Sequence, residues 1–574
     1  MNEAGKALHE LFEREWDYQL EQYPTWASRL GDRRWNDRWE DCSLAATEKR
    51  QSHCMDVLTY LQSMNREELS ISDRMNYDLF QKDYANAAEE HRYRWHLMPL
   101  NQLGGVQTAD DLADALRFET LKDYDDWLAR LRALPVYIEQ TTALMREGIQ
   151  HRILLPKVVL GRIPAQIDHQ IVSDPKKSPF YKPFMQFASS IAEADRSRLA
   201  LTAADVIESD VVPGFRRLKE FLVDDYLPAS PDQVGFWQLT DGEEMYRFAV
   251  RLHTTTSMTP EEIHEIGLRE VARIRSEMQS IIDGLGYKGS LEEFAQFLRS
   301  DPEFYYKTPE ELLLAYRALT RRIDPLLVKI FRTLPRMPYG VEPIPENIAP
   351  DSTTAYYRSP AADGSRAGTY FVNLYKPEAR PQYEMMALSL HEAVPGHHLQ
   401  IALAMEQALP NFRRHGGFTA FIEGWGLYAE SLGEEMGLYD DPYSKFGQLT
   451  YEMWRAVRLV VDTGLHYMRW ERQQAIDFFQ QNTAKQQLDV VNEVDRYIAM
   501  PGQALAYKIG QLKIAAIRSK AEKALGNKFD LRAFHDEILC DGALPLDVLE
   551  AKMDSWITRS LPQGNRIGGT PHQD

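Results

Sequence analysis

A short histidine-rich segment has the residue types of a metal-dependent hydrolytic site. In the segment "LSLHEAVPGHHLQIAL", which begins at Leu388, His391 and Glu392 match the first two residues of the zinc-binding motif H-E-x-x-H. Pro395 stands where that motif has its second histidine, and histidines follow only at His397 and His398. A catalytic zinc site needs three protein ligands and one open position for water, whose pKa the ion lowers to about 7. Glu392, directly after the first histidine, is the candidate general base.

The spacing of these histidines requires a distorted helix. In a straight α-helix His398 returns to the face of His391 about 10 Å further along the axis, whereas His397 points away. Pro395 removes a backbone donor, and Gly396 permits unusual backbone angles. We therefore expect a bulged turn around the proline that brings one histidine level with His391. The spacing leaves open which of the two it is.

A third ligand is expected on a later helix. Glu423 lies in "GGFTAFIEGWGLYAESLGEEM", among mostly apolar neighbours, where a carboxylate must be paired or bound to a cation. Glu430 shares its helical face and could hydrogen-bond a ligand histidine. A His-Glu pair on a helix is more often a simple surface pair, but the apolar setting of Glu423 favours a metal site. One zinc ion per chain is the expected cofactor.

A polar stripe is predicted on the helix that starts near residue 451. Arg455, Arg458, Asp462 and His466 recur at intervals of three and four residues, between apolar neighbours. A solvated helix face is the commoner explanation of such a stripe. We expect this one to face an interior cavity instead.

The segment "DRYIAMPGQALAYKIGQ" adds candidate substrate-binding groups. A hydroxyl of Tyr507 or Tyr497 could donate a hydrogen bond to a developing oxyanion. Arg496, and with it Arg455 or Arg458 of the stripe, could hold a carboxylate through charge-assisted bonds. Gln503 lies between these groups and is included among the substrate-binding candidates. Each of these residues taken alone is more often structural.

The elements around these motifs are mostly helical. Apolar residues recur at three- and four-residue intervals, and the chain has no internal repeat or long linker, so 1–574 is expected to be one unit. Thr259, Pro260 and Glu262 predict a helix start with a capping box. "TAYYRSP" and "GTYFVNLY" predict a β-hairpin around an Asp363–Gly364 turn, directly before the helix of His391.

Composition and charge exclude several classes of function. Apolar residues make up 44% and charged residues 26% of the 574, as in ordinary globular proteins. The net charge of −19 disfavours nucleic acids and acidic membrane surfaces as partners. Three cysteines form no disulfide framework, and no apolar run is long enough for a transmembrane helix. The amino terminus reads as an amphipathic helix and not as a signal peptide, which is expected of a cytoplasmic protein or of one numbered after signal removal.

Four blocks together resemble a known bacterial family. "HEAVPGHHLQ", "FIEGWGLYAE", "EMWRAVRLVVDTGLH" and "VDRYIAMPGQALAYKIGQLKI" are similar, in this order, to the family called domain of unknown function 885 and to its H-E-x-x-P-G-H-H signature. Members are often described as lipoproteins or secreted proteins, so the resemblance implies an envelope location. More distantly, the arrangement resembles the helical zinc peptidases of the angiotensin-converting enzyme, neurolysin and Taq carboxypeptidase type.

That second resemblance implies an architecture and a ligand. It implies a mainly α, two-lobed fold with a deep central channel and a short β-sheet beside the active-site helix, with lobes at about 1–340 and 341–574. By analogy His397, 26 residues before Glu423, is the second metal ligand and His398 the alternative. "GTYFVNLY" would be the sheet edge that pairs with an extended peptide, which makes Tyr370 a substrate-binding candidate.

Two functions from different classes follow as expectations. The first is a zinc-dependent metallopeptidase or carboxypeptidase that cleaves short peptides, with metal ligands His391, His397 and Glu423. The second is a non-catalytic envelope protein that binds peptides or another ligand, with a degenerate or structural metal site. Hydrolysis of a non-peptide amide or ester by the same chemistry is a further possibility.

Overall fold

The computed structural model describes residues 2–346, 349–361, 364 and 366–561. Helices make up 71% of the structure, which confirms the mainly helical fold class. The helices before the sheet are α1 (Glu3–Gln22), α2 (Pro24–Leu30), α3 (Leu44–Ser63), α4 (Ile71–Arg92), α5 (Leu121–His151), α6 (Lys157–Leu160), α7 (Ile163–Gln170), α8 (Glu193–Val206), α9 (Val212–Phe221), α10 (Leu227–Ala229), α11 (Gly242–Thr254), α12 (Pro260–Gly284), α13 (Leu291–Ser300) and α14 (Pro309–Ile323).

The helices after the sheet carry every residue predicted for the metal site. They are α15 (Gln382–Glu392), α16 (His397–Glu406), α17 (Asn411–His415), α18 (Thr419–Ser431), α19 (Gly433–Met436), α20 (Pro442–His466), α21 (Arg472–Asn482), α22 (Gln487–Ala499), α23 (Ala506–Leu525), α24 (Leu531–Leu539) and α25 (Leu546–Ser560). In the described part of the chain, no helix has the length and apolarity that a membrane span requires.

The predicted start of α12 is confirmed in atomic detail. The Thr259 hydroxyl accepts a hydrogen bond from the backbone N–H of Glu262, and the Glu262 carboxylate accepts one from the N–H of Thr259. These reciprocal bonds satisfy two backbone donors that a helix start would otherwise leave unpaired.

A three-stranded sheet precedes α15. Its strands are β1 (Tyr339–Pro343), β2 (Ala355–Arg358) and β3 (Gly368–Val372), in the spatial order β1-β3-β2. The predicted hairpin is the antiparallel β2–β3 pair, in which Tyr357 lies opposite Tyr370. Asp363 of the predicted turn lies outside the described residues. The sequence pattern missed β1, which pairs parallel to β3 across a long connection.

The expectation that β3 is a sheet edge is wrong. Both of its sides are occupied, by β1 and by β2, so its backbone cannot pair with a peptide. All five residues of β3 are buried, as is usual for a central strand. The free edges of this sheet belong to β1 and β2.

The largest core connects the two predicted lobes. Its buried side chains include Trp127 and Ile274 from the first range and Met453 from the second. Helix α20 is buried over most of its length and packs along α12. The two sequence ranges therefore share one core, and a lobe boundary near residue 340 stays a prediction.

Candidate metal centre

The two candidate histidine ligands lie on two helices and not on one. Helix α15 ends at Glu392 and α16 begins at His397, so the expected bulge within a single helix is instead a complete break. The Val394–Pro395 peptide bond in this turn is cis. The turn places the rings of His391 and His397 with their centroids 4.6 Å apart and nearly perpendicular. The two extra residues are thus absorbed, as the spacing required.

Gly396 is required for this tight turn. A Cβ atom on Gly396 would lie 1.9 Å from the carbonyl oxygen of His391 and 2.4 Å from that of Leu390. Any other residue would therefore push the end of α15 away from the start of α16. The indole Nε1 of Trp425 donates a hydrogen bond to the Pro395 carbonyl oxygen over 2.8 Å, which ties the turn to α18.

Glu423 on α18 completes a convergent set of three donors. Its Oε2 atom lies 3.5 Å from Nε2 of His391 and 3.6 Å from Nε2 of His397. Two ligands at zinc-ligand distances in a tetrahedral site lie about 3.3 Å apart, so these separations fit one shared ion. Among the described residues this is the one such group of three or more. Two imidazoles and one carboxylate are also a ligand set of catalytic zinc sites.

Residues of α18 fix the orientation of the His391 ring. Nδ1 of His391 donates a hydrogen bond of 2.8 Å to Oε1 of Glu430, a fully buried carboxylate. A Cβ atom on Gly426 would lie 2.7 Å from the His391 ring, so glycine there allows the ring to lie flat against α18. With Nδ1 engaged, Nε2 is the atom that faces Glu423. This is the outer hydrogen bond that ligand histidines usually make.

The three side chains of this cluster hold a proton tightly at His391. Burial alone would lower the pKa of His391, but hydrogen bonds and charges from Glu423 and Glu430 outweigh burial and raise that pKa to about 9. Burial would raise the pKa of Glu423, yet its bonds to His391 and His397 hold the pKa well below the usual range. A cation bound between these groups would take the place of that proton.

His398 faces the sheet instead of Glu423. Its Nδ1 lies 2.9 Å from the hydroxyl of Tyr357, and its Nε2 lies 3.0 Å from the carbonyl oxygen of Met337. Burial lowers its pKa to about 4. Both ring nitrogens have structural partners, so the geometry brings His397, and not His398, to Glu423.

Glu392 and Tyr507 come from distant parts of the sequence, on α15 and α23. Both lie close to the candidate ligands. Glu392 is half-buried at the end of α15, and no other described residue forms a hydrogen bond or ion pair with its carboxylate. Burial and the nearby charge of Glu423 raise the pKa of Tyr507 on α23, against the opposing charges of Arg458 and Arg496. The Arg458 guanidinium lies 4.4 Å from the centre of the Tyr507 ring.

Most of the other predicted cationic and aromatic residues converge on Glu493, which sequence reasoning missed. The Tyr497 hydroxyl donates to Glu493 over 2.7 Å, and Arg458 and Arg496 lie 3.2 and 3.0 Å from the same oxygen. Burial would raise the pKa of Glu493, but the two guanidinium charges lower it to about 2. Gln503 accepts a hydrogen bond from Arg496 over 2.8 Å. The available signal was spacing, because Glu493 precedes Arg496 by three residues and Tyr497 by four.

The polar stripe of α20 is buried, but the residues at its two ends have different partners. Nη2 of Arg455 lies 3.8 Å from Oε1 of Glu430, which links the stripe to the ligand His391. Asp462 instead accepts hydrogen bonds from the Tyr246 hydroxyl and the backbone N–H of Gly502.

The ring nitrogens of His466, at the end of the same stripe, hydrogen-bond to backbone groups. Its Nδ1 accepts from the N–H of Phe236 over 3.2 Å, and its Nε2 lies 2.9 Å from the carbonyl oxygen of Tyr497. Tyr370 is also fully buried, with its hydroxyl 3.4 Å from the Ser389 hydroxyl. In the described part of the chain, neither side chain forms a hydrogen bond with His391, His397 or Glu423.

Fold and site together define a large helical protein with a His–His–Glu candidate metal centre. The family profile of DUF885, bacterial proteins of unknown function, matches residues 24–553, and the chain belongs to this family. No curated protein matches the sequence.

Two solved structures are similar over nearly the whole chain. A Colwellia psychrerythraea protein, provisionally described as a lipoprotein, is 28% identical with a TM-score of 0.91, covering 97% of this chain and 99% of its own. A Shewanella oneidensis protein, provisionally described as a lipoprotein of unknown function, is 17% identical with a TM-score of 0.73, covering 96% and 99%. The second likeness concerns the fold alone.

Proposed function

We propose that this protein is a zinc-dependent hydrolase that cleaves short peptides. The observation that carries the proposal is the convergence of His391, His397 and Glu423. Oε2 of Glu423 lies 3.5 Å from Nε2 of His391 and 3.6 Å from Nε2 of His397. A zinc ion held there would supply a Lewis acid that polarises the scissile carbonyl and lowers the pKa of water. Glu430 holds His391 in the tautomer that presents Nε2 to this position.

In this proposal the chain's own residues move the proton and stabilise charge. Glu392 takes a proton from the attacking water and passes it to the leaving nitrogen, a role suited to a carboxylate without a competing partner. Tyr507 donates its hydroxyl hydrogen bond to the oxyanion that forms on the substrate carbonyl. Its raised pKa keeps that hydroxyl protonated at neutral pH. Tyr497, whose hydroxyl already donates to Glu493, acts here by positioning Arg458.

The proposed substrates are short peptides with a free terminal carboxylate. Arg455, Arg458 and Arg496 bring three guanidinium groups around Tyr507, and Glu493 pairs with only two of them. Nη1 of Arg458 is buried and has no hydrogen-bond partner among the described residues. A substrate carboxylate would supply one, which supports carboxypeptidase-like action.

The proposed location is the cell envelope. This rests on the Colwellia psychrerythraea protein, which is provisionally described as a lipoprotein. Cell fractionation of the source bacterium, with an antibody against this chain, tests it. Recovery with cytoplasmic markers alone would contradict it.

Elemental analysis after equilibration with zinc and removal of the excess is the first test. The expected result is one zinc per chain, lost in Glu423→Ala. His398→Gln is the matched control, because that neighbouring imidazole binds Tyr357 and Met337 and its loss leaves zinc in place. No retained zinc in the unmodified chain would contradict the metal centre and favour a metal-free binding protein.

Turnover is tested with peptides that carry free or blocked carboxyl ends. Glu392→Gln is expected to retain zinc and lose at least about 10³-fold in kcat, since it removes the proton acceptor. Unchanged turnover in this variant would rule out Glu392 as general base. Cleavage of esters but of no peptide would support a non-peptide substrate instead.

A further inference from the structure

Arg455 on α20 is a buried cation with few partners. Its side chain is 7% exposed, yet its one hydrogen bond within the described part of the chain is a long contact of 3.4 Å from Nη1 to the Tyr451 carbonyl oxygen. Nη2 lies 3.8 Å from Oε1 of Glu430, which is beyond hydrogen-bond distance, and Nε has no partner among the described residues. A guanidinium carries five N–H donors, and burying its charge without hydrogen bonds is costly. The hydrolytic chemistry proposed above assigns no ligand to these donors.

The other buried arginines of the described chain are better satisfied. Arg130 makes four hydrogen bonds, and Arg413 and Arg458 make two each. Each of these three has at least one hydrogen bond of 3.0 Å or shorter. Arg455 is therefore the buried arginine with the weakest set of bonds, and burial alone does not explain why its donors lack acceptors.

Two further donors without partners lie on the same face of α20. The Tyr451 hydroxyl is buried and has no hydrogen-bond partner among the described residues, and the same holds for Nη1 of Arg458. Tyr451 precedes Arg455 by four residues and Arg458 follows it by three, so the three side chains share one helical face. The guanidinium carbon of Arg455 lies 4.7 Å from the centre of the Tyr451 ring. Guanidinium and hydroxyl donors grouped in this way are suited to binding an anion.

The region next to these donors is aromatic, cationic and partly open to solvent. The Trp454 ring is partly exposed, and its centre lies 5.0 Å from the guanidinium carbon of Arg455, 4.8 Å from that of Arg458 and 4.7 Å from Nζ of Lys485. The partly exposed Tyr507 ring lies near the same two guanidinium groups. Because both guanidinium carbons lie within about 5 Å of one ring centre, they are at most about 10 Å apart.

The acids of this region are engaged by other groups. Glu493 lies within ion-pair distance of Nη2 of Arg458 and of Arg496. Glu384 pairs with Lys485 over 3.2 Å. In the described part of the chain, neither acid hydrogen-bonds to the donors without partners. An incoming anion would therefore not have to displace an internal one.

We infer that the carboxy-terminal residue of the substrate carries a second carboxylate, as glutamate and aspartate do, and that Arg455 and the Tyr451 hydroxyl bind it. This inference rests on the proposed function, in which Arg458 binds the terminal carboxylate. The two carboxylate carbons of glutamate lie about 5 Å apart, and each lies about 4 Å from the carbon of a guanidinium that it pairs with, so one residue can reach both arginines. A neutral side chain would leave the donors of Arg455 without an acceptor.

The first test compares three peptides that have a free terminal carboxylate. The values of kcat/KM of the zinc-loaded chain are measured for acetyl-alanyl-glutamate, acetyl-alanyl-glutamine and acetyl-alanyl-leucine. The glutamate peptide is expected to exceed each of the other two at least about tenfold, because it gains hydrogen bonds between charged groups. An equal or lower value for the glutamate peptide would overturn the inference and leave the proposed hydrolysis standing.

The second test separates this binding site from catalysis. Calorimetric titration of the zinc-loaded chain with free glutamate and free glutamine is expected to show at least about tenfold tighter binding of glutamate. If no peptide is cleaved but glutamate keeps this advantage, the hydrolase proposal fails and the site for a second carboxylate stands. Equal binding of the two amino acids together with no turnover would overturn both.

Two substitutions assign the preference to these donors. Tyr451→Phe removes only the hydroxyl without a partner and is expected to lower the glutamate-to-glutamine ratio of kcat/KM about threefold, whereas Arg455→Gln should bring that ratio to about one. Lys445→Gln, at an exposed pair with Glu434 on the same helix, is the control and should leave the ratio unchanged. Zinc content and thermal unfolding confirm the fold of each variant. An unchanged ratio in folded Tyr451→Phe and Arg455→Gln would mean that Arg455 is held by the surrounding rings alone, and would contradict the inference.

Discussion

Two mostly buried clusters of ionisable side chains lie on neighbouring helices. In the first, every charged group has a partner of opposite charge, whereas in the second the set of partners is incomplete. The first is the ion network of Lys508, Glu452, Glu270 and Arg273, from α23, α20 and α12. Nζ of Lys508 lies 2.6 Å from Glu452 and 2.9 Å from Glu270, and Arg273 contacts both carboxylates as well. Arg273 is partly exposed and also pairs with Glu277, so each charge of this network has a partner of opposite charge within the protein.

The second cluster, His391, His397 and Glu423, presents electron-pair donors to one point. Its carboxylate faces two imidazoles, and any balancing positive charge must come from a proton or a bound cation. The contrast teaches that burial of ionisable groups does not by itself mark a functional site. What distinguishes the candidate metal cluster is that its donors converge without a lysine or arginine of the described chain between them.

The largest expected effect concerns the balanced network. Lys508→Met leaves the buried carboxylate of Glu452 and the half-buried one of Glu270 with only the partly exposed Arg273, and is expected to reduce the free energy of unfolding by about 3–5 kcal/mol in urea titration. Zinc per folded chain should not change. Lys513→Met on the same helix is the control, because Lys513 pairs with the half-exposed Glu550 and should cost at most about 1 kcal/mol. An equal loss of unfolding free energy in both variants would show that the network does not stabilise the fold more than a surface ion pair does.

A pH effect is expected from Asp462, a buried carboxyl held by dipoles instead of ions. Burial raises its pKa from 3.8 to about 7 against the bonds from Tyr246 and Gly502. Between about pH 4 and 7 the folded chain keeps a proton that the unfolded chain has lost. This contribution to stability is therefore present at low pH and lost as pH rises, by up to about 1.4 kcal/mol per unit.

Asp462→Asn should remove this dependence. The difference in unfolding free energy between variant and unmodified chain, measured from pH 4 to 8, is expected to shift in the variant's favour as pH rises. Asp477→Asn, an exposed acid on α21, should leave the slope unchanged. Parallel curves for Asp462→Asn and the unmodified chain would mean that Asp462 is ionised throughout.

Two of the three side chains that converge in the candidate site, His391 and Glu423, could be identified from sequence because their signals are local. His391 and Glu392 are adjacent, and Glu423 stands out in an apolar run whatever surrounds it. The choice between His397 and His398 could not be made from the spacing, because it depends on the helix break and on contacts with Tyr357 from the sheet.

The fold, like the candidate site, was predictable where its signals are local in the sequence. Helical periodicity and the β2–β3 hairpin are short-range patterns, and both are confirmed. Strand β1 pairs in parallel with a strand that follows it after a long connection, and such pairing leaves no local mark. The role of Glu493 likewise depends on Arg458, which lies 35 residues earlier on another helix.

The smallest expected effect concerns Glu430, which hydrogen-bonds to the His391 ring on the side away from Glu423. Glu430→Gln keeps an oxygen that can accept the hydrogen bond from Nδ1 of His391 but removes the negative charge. Zinc affinity, measured by competition with a chelator, is expected to fall about 10–100-fold, because a charged partner makes the ligand imidazole more basic. Glu434→Gln, at an exposed pair with Lys445, is the control and should leave the affinity unchanged. Unaltered affinity in Glu430→Gln would mean that Glu430 only orients the ring, since orientation alone survives this substitution. A loss confined to Glu430→Gln would show that its buried charge also strengthens the metal bond.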